Sequence, residues 1–182
     1  GATLNVLGQQ VTGNIVITST TGAITTQENG FTYLERGAIS AVSPAEGQTG
    51  TLVTITGEGL LGGGARFYTI RLGGVLVREL VSGATRFDGG DEQVVVRAAS
   101  SASAGSGVVQ LISNTRAVVT VDASWTYEEQ STIASLSPES GQAGTVVTIS
   151  GENMLGVSNA DNVSAVTFGG VGVKLVSVSQ ST

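Results

Sequence analysis

The sequence predicts an all-β protein built of small two-layer sandwiches in tandem. Apolar residues alternate with polar ones at a period of two along most of the chain, as in strands that bury one face. Gly, Asn, Asp and Ser interrupt these runs at short intervals, which is the turn chemistry of an all-β domain. Aromatic residues make up only 4% of the chain, so the core must consist mainly of aliphatic side chains. A thin sandwich suits such a core.

A repeat with a constant offset divides the chain. Pro138 lies 94 positions after Pro44 (138 − 44 = 94). The residues that recur with it are Ile39, Ser43, Gly47, Gly50, Thr51, Val53, Thr54, Ile55, Gly57 and Leu61, as Ile133, Ser137, Gly141, Gly144, Thr145, Val147, Thr148, Ile149, Gly151 and Leu155. The same offset relates an earlier set, Gly13, Ile15, Ile17, Phe31, Thr32 and Tyr33, to Gly107, Val109, Leu111, Trp125, Thr126 and Tyr127. A period of this length indicates repeated domains.

The offsets divide the chain into the C-terminal half of one domain, a complete domain and the N-terminal half of another. Residues 1–37 correspond to the second part of a domain, residues 38–129 form a complete domain, and residues 130–182 correspond to the first part of another. If residue 182 were followed by residue 1, a strand at residues 3–7 would supply what residues 94–96 supply in the complete copy. We therefore expect the two halves to be completed by a neighbouring unit.

The alternation predicts fourteen strands, taken in chain order. They span residues 14–19, 30–34, 39–43, 51–57, 69–72, 75–81, 93–98, 107–113, 117–121, 124–128, 133–137, 145–151, 164–168 and 171–178. Gly73-Gly74 and Gly169-Gly170 lie between β-rich runs, where a two-residue hairpin needs the positive φ that glycine adopts freely. The spacing of two in Phe31 and Tyr33, and again in Trp125 and Tyr127, places each aromatic pair on one face of its strand. Both pairs are assigned to a domain core in preference to a ligand-stacking surface.

These motifs resemble the IPT/TIG domain, an immunoglobulin-like β-sandwich. The resemblance rests on an opening Ile-x-x-Val/Leu-x-Pro segment, a Gly-x-x-Gly turn, a Val-Thr-Ile-x-Gly strand, a Phe-Gly-Gly hairpin and a closing aromatic-Thr-Tyr strand. Leu72 stands where the family usually has the Phe that Phe168 provides in the second copy. The resemblance implies an immunoglobulin-like fold for essentially the whole chain. Relatives occur in transcription factors, receptor ectodomains and polysaccharide-processing enzymes, and as tandem arrays in cell-surface and fibrous proteins.

Composition argues against several classes of function. The net charge is −6 and only 8 residues are Lys or Arg, which disfavours nucleic acid as a partner. No apolar run approaches the roughly 18 residues of a membrane helix, so membrane insertion is not expected. Without Cys or His the chain lacks thiolate ligands, disulfides and the commonest general base. We therefore predict no catalytic residues, no cofactor and no enzyme activity.

Two loops carry clustered oxygen ligands and one carries a glycosylation motif. The first loop has Asp88, Asp91 and Glu92, and the second has Asn159, Asp161 and Asn162. Calcium prefers such oxygens, but neither loop has the spacing of a known calcium site, so solvated turn residues are the preferred interpretation and no metal is predicted. Asn162-Val163-Ser164 is the one N-glycosylation sequon, which makes Asn162 a candidate for a covalent glycan.

The expected function is that of an extracellular or cell-surface structural protein that forms a head-to-tail fibre. Each junction would complete a divided immunoglobulin-like domain by strand complementation between copies. The residues expected at this interface are Thr3, Leu4, Val6, Ile15, Ile17, Phe31, Tyr33, Val147, Ile149, Phe168 and Val176. One variant is that the 182 residues are a stretch of a longer tandem array. The alternative from another class is an adhesin stalk or a carbohydrate-binding accessory module of a secreted protein.

Overall fold

The computed structural model describes residues 10–77, 79–82, 91–156 and 163–179. Strands account for the regular structure of these residues. In chain order they are β1 (Val11–Thr18), β2 (Ile24–Tyr33), β3 (Ala38–Ser43), β4 (Glu46–Gly47), β5 (Leu52–Glu58), β6 (Phe67–Leu72), β7 (Val75–Leu76), β8 (Glu79–Ser82), β9 (Gln93–Arg97), β10 (Gly105–Ser113), β11 (Val118–Tyr127), β12 (Thr132–Ser137), β13 (Thr148–Glu152), β14 (Val166–Phe168) and β15 (Val171–Val173). No helix capable of crossing a membrane is found among the described residues.

The middle of the chain forms a two-sheet sandwich. One sheet has the strand order β3-β5-β9-β8 and the other has the order β4-β11-β10-β6-β7. Alternate residues of each strand point into the space between the sheets and form the core, because a strand presents successive side chains to opposite faces. The buried core residues are Val53, Ile55, Leu60, Ile70, Leu72, Val94, Val96, Ala98, Val109, Leu111, Val119, Trp125 and Tyr127. This core closes on itself without the flanking segments.

The segments on either side repeat parts of this sandwich in the same register. β1 pairs with β2 as β10 pairs with β11, each partner shifted by 94 residues, and both hairpins have a register shift at the equivalent place, between Gly13 and Ile15 and between Gly107 and Val109. β12 and β13 reproduce the β3–β5 pairing with its irregularity. β14 and β15 reproduce the β6–β7 hairpin. The sequence repeat is therefore a repeat of strand pairing.

Paired glycines close the two equivalent hairpins. Gly73 and Gly74 have φ values of 55° and 82°, and Gly169 and Gly170 have values of 57° and 84°. Two successive positive φ angles define the two-residue turn that matches the twist of the flanking strands. The predicted glycine hairpins are confirmed in both copies.

Four predicted strands differ in their pairing from the observed ones. Residues 117–121 and 124–128 form one strand, β11, because Ala123 adopts a φ of 46° within it and the pairing with β10 continues on both sides. The predicted strand 75–81 is two strands, since β7 pairs with β6 and β8 pairs with β9 of the opposite sheet. The strand predicted at 171–178 pairs only over Val171–Val173. An alternation of apolar and polar residues shows that a segment is extended, but it does not show which strand the segment pairs with. The strand expected at residues 3–7 lies outside the described residues.

The chain enters and leaves the complete sandwich at opposite ends of its strands. It enters at Ala38, the first residue of β3. It leaves after Tyr127, which pairs in parallel with Gly47, just beyond the last residue of β3. Six residues of extended strand separate these ends by about 20 Å. The segments before and after the sandwich therefore start from different ends of it.

Candidate functional site

The β1–β2 hairpin exposes apolar side chains that the complete domain buries at equivalent positions. The exposed fractions are 38% for Ile15, 65% for Ile17 and 55% for Phe31. The equivalent side chains of the complete domain, Val109, Leu111 and Trp125, are fully buried. We call Gly13, Ile15, Ile17, Phe31 and Tyr33 the hairpin face. The hairpin face has the apolar residues of one sheet of a sandwich, but no second sheet among the described residues covers them.

The segment after residue 130 exposes the complementary layer. Phe168 is 37% exposed and Val176 is 77% exposed, whereas Leu72, at the position of Phe168, is fully buried. Val147 and Ile149 are half-buried, although Val53 and Ile55 at the equivalent positions are inaccessible to solvent. We call Val147, Ile149, Phe168, Gly169 and Val176 the C-terminal face.

Two pairs of glycines show how the faces correspond. In the complete domain, Gly107 lies so close to the β6–β7 turn that a Cβ atom built on it would be 2.8 Å from the Cα atom of Gly73. A Cβ atom built on Gly73 would lie 3.2–3.4 Å from ring atoms of Tyr127 and Trp125. The turn therefore rests on the aromatic pair and against Gly107. The equivalent glycines, Gly13 and Gly169, have no described atom within 4 Å of such a Cβ position.

The empty space beside Gly13 is a shallow cavity of about 270 Å³. Its lining residues are Gly13, Asn14, Ile15, Phe31 and Tyr33. The rings of Phe31 and Tyr33 are packed edge to face, with centroids 4.9 Å apart and an interplanar angle of 74°. Trp125 and Tyr127 have a similar arrangement, at 5.5 Å and 83°, under the Gly73-Gly74 turn. The hairpin thus presents the same surface that receives a glycine turn in the complete domain.

The strand edges of the two segments correspond in the same way. In the complete domain, the backbone N–H of Thr126 donates to the carbonyl of Ala45 at 2.8 Å, and that of Glu128 donates to the carbonyl of Gly47 at 2.9 Å. The equivalent donors are on Thr32 and Leu34. The outer edges of β1 and β2 have no strand partner among the described residues, whereas β10 and β11 pair on both sides. An unpaired edge of this kind is a template for strand addition.

Asp91 and Tyr127 are polar groups of the complete domain, one in a turn and one in the core. The Asp91 carboxylate accepts a hydrogen bond from the backbone N–H of Leu61 at 2.7 Å, which is the role of a turn residue. Among the described residues no group of three or more acidic side chains could hold a metal ion. Burial raises the pKa of the Tyr127 phenol above its ordinary value, because the phenolate would lose its hydration. The Tyr127 hydroxyl has no hydrogen-bond partner in the part of the chain that the structure describes.

The residues predicted for an assembly interface fall into two groups. Ile15, Phe31 and Tyr33 line one cavity, and Ile17 follows Ile15 at a spacing of two on β1. Val147, Ile149, Phe168 and Val176 belong to the C-terminal face. Thr3, Leu4, Val6 and Asn162 lie outside the described residues. Sequence reasoning missed Gly13 and Gly169 as contact residues, although a glycine at the same place in both copies of a strand is a signal of close backbone approach.

The paired sheets of residues 38–127 define an immunoglobulin-like β-sandwich. The IPT/TIG domain matches residues 38–128 and again residues 131–182, so the chain belongs to the IPT/TIG family. No curated protein matches the chain.

Several solved structures resemble the sandwich. An auxiliary nutrient binding protein from Bacteroides thetaiotaomicron is 18% identical over 53% of this chain and 22% of its own, with a TM-score of 0.39. A gamma-CGTase from an alkalophilic Bacillus clarkii is 14% identical over 62% of this chain and 16% of its own, with a TM-score of 0.40. A third structure is the SGBP-B of a Bacteroides ovatus mixed-linkage glucan utilization locus, in complex with a mixed-linkage heptasaccharide. It is 13% identical over 68% of this chain and 30% of its own, with a TM-score of 0.38. The chain thus spans less than a third of each, and similarity at this level does not bear on what it binds.

Proposed function

We propose that the chain is a non-catalytic structural protein of the extracellular space or cell surface, whose units join head to tail. In each junction the hairpin face of one unit packs on the C-terminal face of another and completes an immunoglobulin-like domain. The domain division is then 1–37, 38–129 and 130–182. The observation that carries the proposal is the pair of open glycines, Gly13 and Gly169, whose equivalents Gly107 and Gly73 are in contact in the complete domain.

A second copy is a better partner than the same chain. The two segments start from opposite ends of the complete sandwich, so one chain would have to fold back along its full length to join them. A contact between two different faces is heterologous, and it propagates as an open filament when the rotation between units does not close a ring. Addition of β1 and β2 to the edges of another sheet is strand complementation.

Apolar burial gives the junction a substantial driving force. The exposed parts of Ile15, Ile17, Phe31, Phe168 and Val176 amount to between two and three whole side chains. At roughly 1.5–3 kcal/mol for each buried side chain, covering them contributes on the order of 4–8 kcal/mol. The new strand pairs would also satisfy the backbone groups of both open edges.

Electron microscopy together with mass spectrometry tests the proposal. Purified chain at micromolar concentration should form filaments that are visible by negative stain. The same material, once denatured, should give a single species near 18.2 kDa before any glycan. A monomer at all concentrations would refute the assembly. A much longer denatured chain would mean that the join is a peptide bond within a tandem array.

A second candidate function is binding of carbohydrate, as an adhesin stalk or as an accessory module. The observation that favours it is the Tyr68 ring, which is 61% exposed on β6, with the Arg116 guanidinium 4.0 Å from its centroid. Exposed aromatic rings offer an apolar face to sugars, but Arg116 already covers one side of this ring. Binding on a glycan array that is lost in Tyr68→Ala, with the thermal midpoint unchanged, would support this candidate. A covalent glycan at Asn162 remains a separate proposal, tested by the mass before and after enzymatic deglycosylation.

A further inference from the structure

A buried glutamine makes most of the side-chain hydrogen bonds between the complete domain and the segment that follows it, beside one from the Thr49 hydroxyl to the Gln130 side chain at 2.8 Å. Gln48 lies in the turn between β4 and β5 and is only 6% exposed, although it is polar. Its side-chain N–H groups donate to the carbonyl of Glu129 at 2.6 Å and to that of Asn153 at 3.2 Å. Its side-chain oxygen accepts hydrogen bonds from the backbone N–H, at 3.2 Å, and the hydroxyl of Ser131. One amide therefore ties a turn to the linker and to a turn of the next domain.

Gln142 has the equivalent position in the following repeat, and its turn has the same construction. The Gln142 backbone N–H donates to the Thr145 hydroxyl at 3.0 Å, as that of Gln48 donates to the Thr51 hydroxyl at 3.1 Å. Gly144 has a φ of 89°, close to the 93° of Gly50. The Gln142 residue is exposed, and its side chain makes no hydrogen bond to the described part of the chain.

The backbone groups that correspond to the partners of Gln48 are present at the start of the complete domain, in the same turn conformation. Shifted by 94 residues, the linker carbonyl of Glu129 becomes that of Glu35, and the turn at Asn153 becomes the turn at Gly59. Gly59 has a φ of 58°, against 54° for Asn153. The Gly62 N–H closes this turn on the Gly59 carbonyl at 2.9 Å, much as Gly156 closes the other at 3.1 Å. Both halves of the contact are therefore present on the chain, and head-to-tail assembly would bring them together between two copies.

We propose that Gln142 of one unit binds the backbone of the next unit at Glu35, Gly37 and Gly59. This inference rests on the proposed head-to-tail assembly, and it adds a polar contact that orients successive domains. The Gln142 amide donates to the carbonyls of Glu35 and Gly59 and accepts from the N–H of Gly37. Gly37 has no counterpart of the Ser131 hydroxyl, so this contact has fewer hydrogen bonds than the one at Gln48.

The test compares Gln142→Ala and Gln142→Glu with wild-type chain. Filaments are formed at the same concentration, diluted tenfold or more, and followed by light scattering to obtain the dissociation rate. Loss of two to three hydrogen bonds should raise that rate about 10- to 100-fold in Gln142→Ala. Gln142→Glu should dissociate at least as fast, because a carboxylate has no N–H to donate to the two carbonyls. The matched control is Gln93→Ala, an exposed glutamine on β9 of the complete domain.

Each outcome separates this contact from the assembly that it presupposes. Faster dissociation of both Gln142 variants, with Gln93→Ala and wild type equal, supports the contact. Equal dissociation of all four proteins refutes the contact and leaves the assembly intact. A wild-type chain that forms no filament refutes both proposals. Thermal unfolding of the unassembled variants should match wild type, since the Gln142 side chain makes no hydrogen bond to the described part of the chain and both substitutions keep the backbone N–H that donates to Thr145.

Discussion

Gly13→Leu should weaken assembly about 100-fold without changing the stability of the free chain. In the complete domain a Cβ atom at the equivalent Gly107 would lie 2.8 Å from the Cα atom and 3.0 Å from the carbonyl carbon of Gly73. Side chains do not fit at such distances unless the backbone moves, and overpacking of this kind costs typically 1–3 kcal/mol or more. Because Leu adds three carbons beyond Cβ, we expect the upper part of that range, which weakens each junction about 100-fold.

The same substitution is harmless in the free chain. No described atom lies within 4 Å of a Cβ built on Gly13, and its φ is not in the positive range. Sedimentation velocity across a concentration series gives the assembly constant, and the thermal midpoint reports the fold. The matched control is Gly172→Leu on β15, which is equally open and stands where the complete domain has the exposed Leu76. Filaments of Gly13→Leu at the wild-type critical concentration would refute the reasoning.

The remaining predictions concern the core and the buried phenol. Leu111→Ala should lower the free energy of unfolding by about 2–5 kcal/mol, because Leu111 is fully buried, and urea titration measures it. Ile17→Ala, at the equivalent but 65% exposed position, should change unfolding of the free chain by less than about 1 kcal/mol while raising the critical concentration for assembly; equal losses of stability in the two variants would contradict the account. Because burial raises the pKa of Tyr127 in the folded protein, the contribution of its neutral phenol to the free energy of unfolding is fully present below the unfolded pKa of about 10. That contribution is lost as the pH rises through the folded pKa. The urea midpoint should therefore decrease more between pH 9 and pH 11 in wild type than in Tyr127→Phe. An identical decrease in both proteins would show that another group is responsible.

Strand pairing within each repeat was predictable because it is local. Gly13, Ile15 and Phe31 recur at a fixed offset, and a hairpin with the same turn and bulge positions has only one register that keeps its apolar face together. The proposed division at residues 37 and 129 is inferred from the same offset. Sequence could also place Trp125 and Tyr127 in a core, as burial confirms.

The contacts between repeats could not be predicted because they depend on distances across the fold. The apolar run from Val75 onward reads as one strand, but β7 and β8 belong to different sheets. A change of sheet alters the partner of a strand without altering its alternation. Gln48 has the composition of an ordinary turn residue, and only the approach of Glu129 and Asn153 shows that its amide is buried by a neighbouring domain. Gly73 and Gly107, which are in contact in the complete domain, are likewise far apart in sequence.

A cryo-electron microscopy reconstruction of filaments of the wild-type chain tests the central claim most directly. The account predicts that Gly13 of one copy lies in van der Waals contact with Gly169 of the next, with β1 beside β14 and the Phe31 and Tyr33 rings covered by the Gly169-Gly170 turn. A filament in which the hairpin face and the C-terminal face are both open to solvent would contradict it.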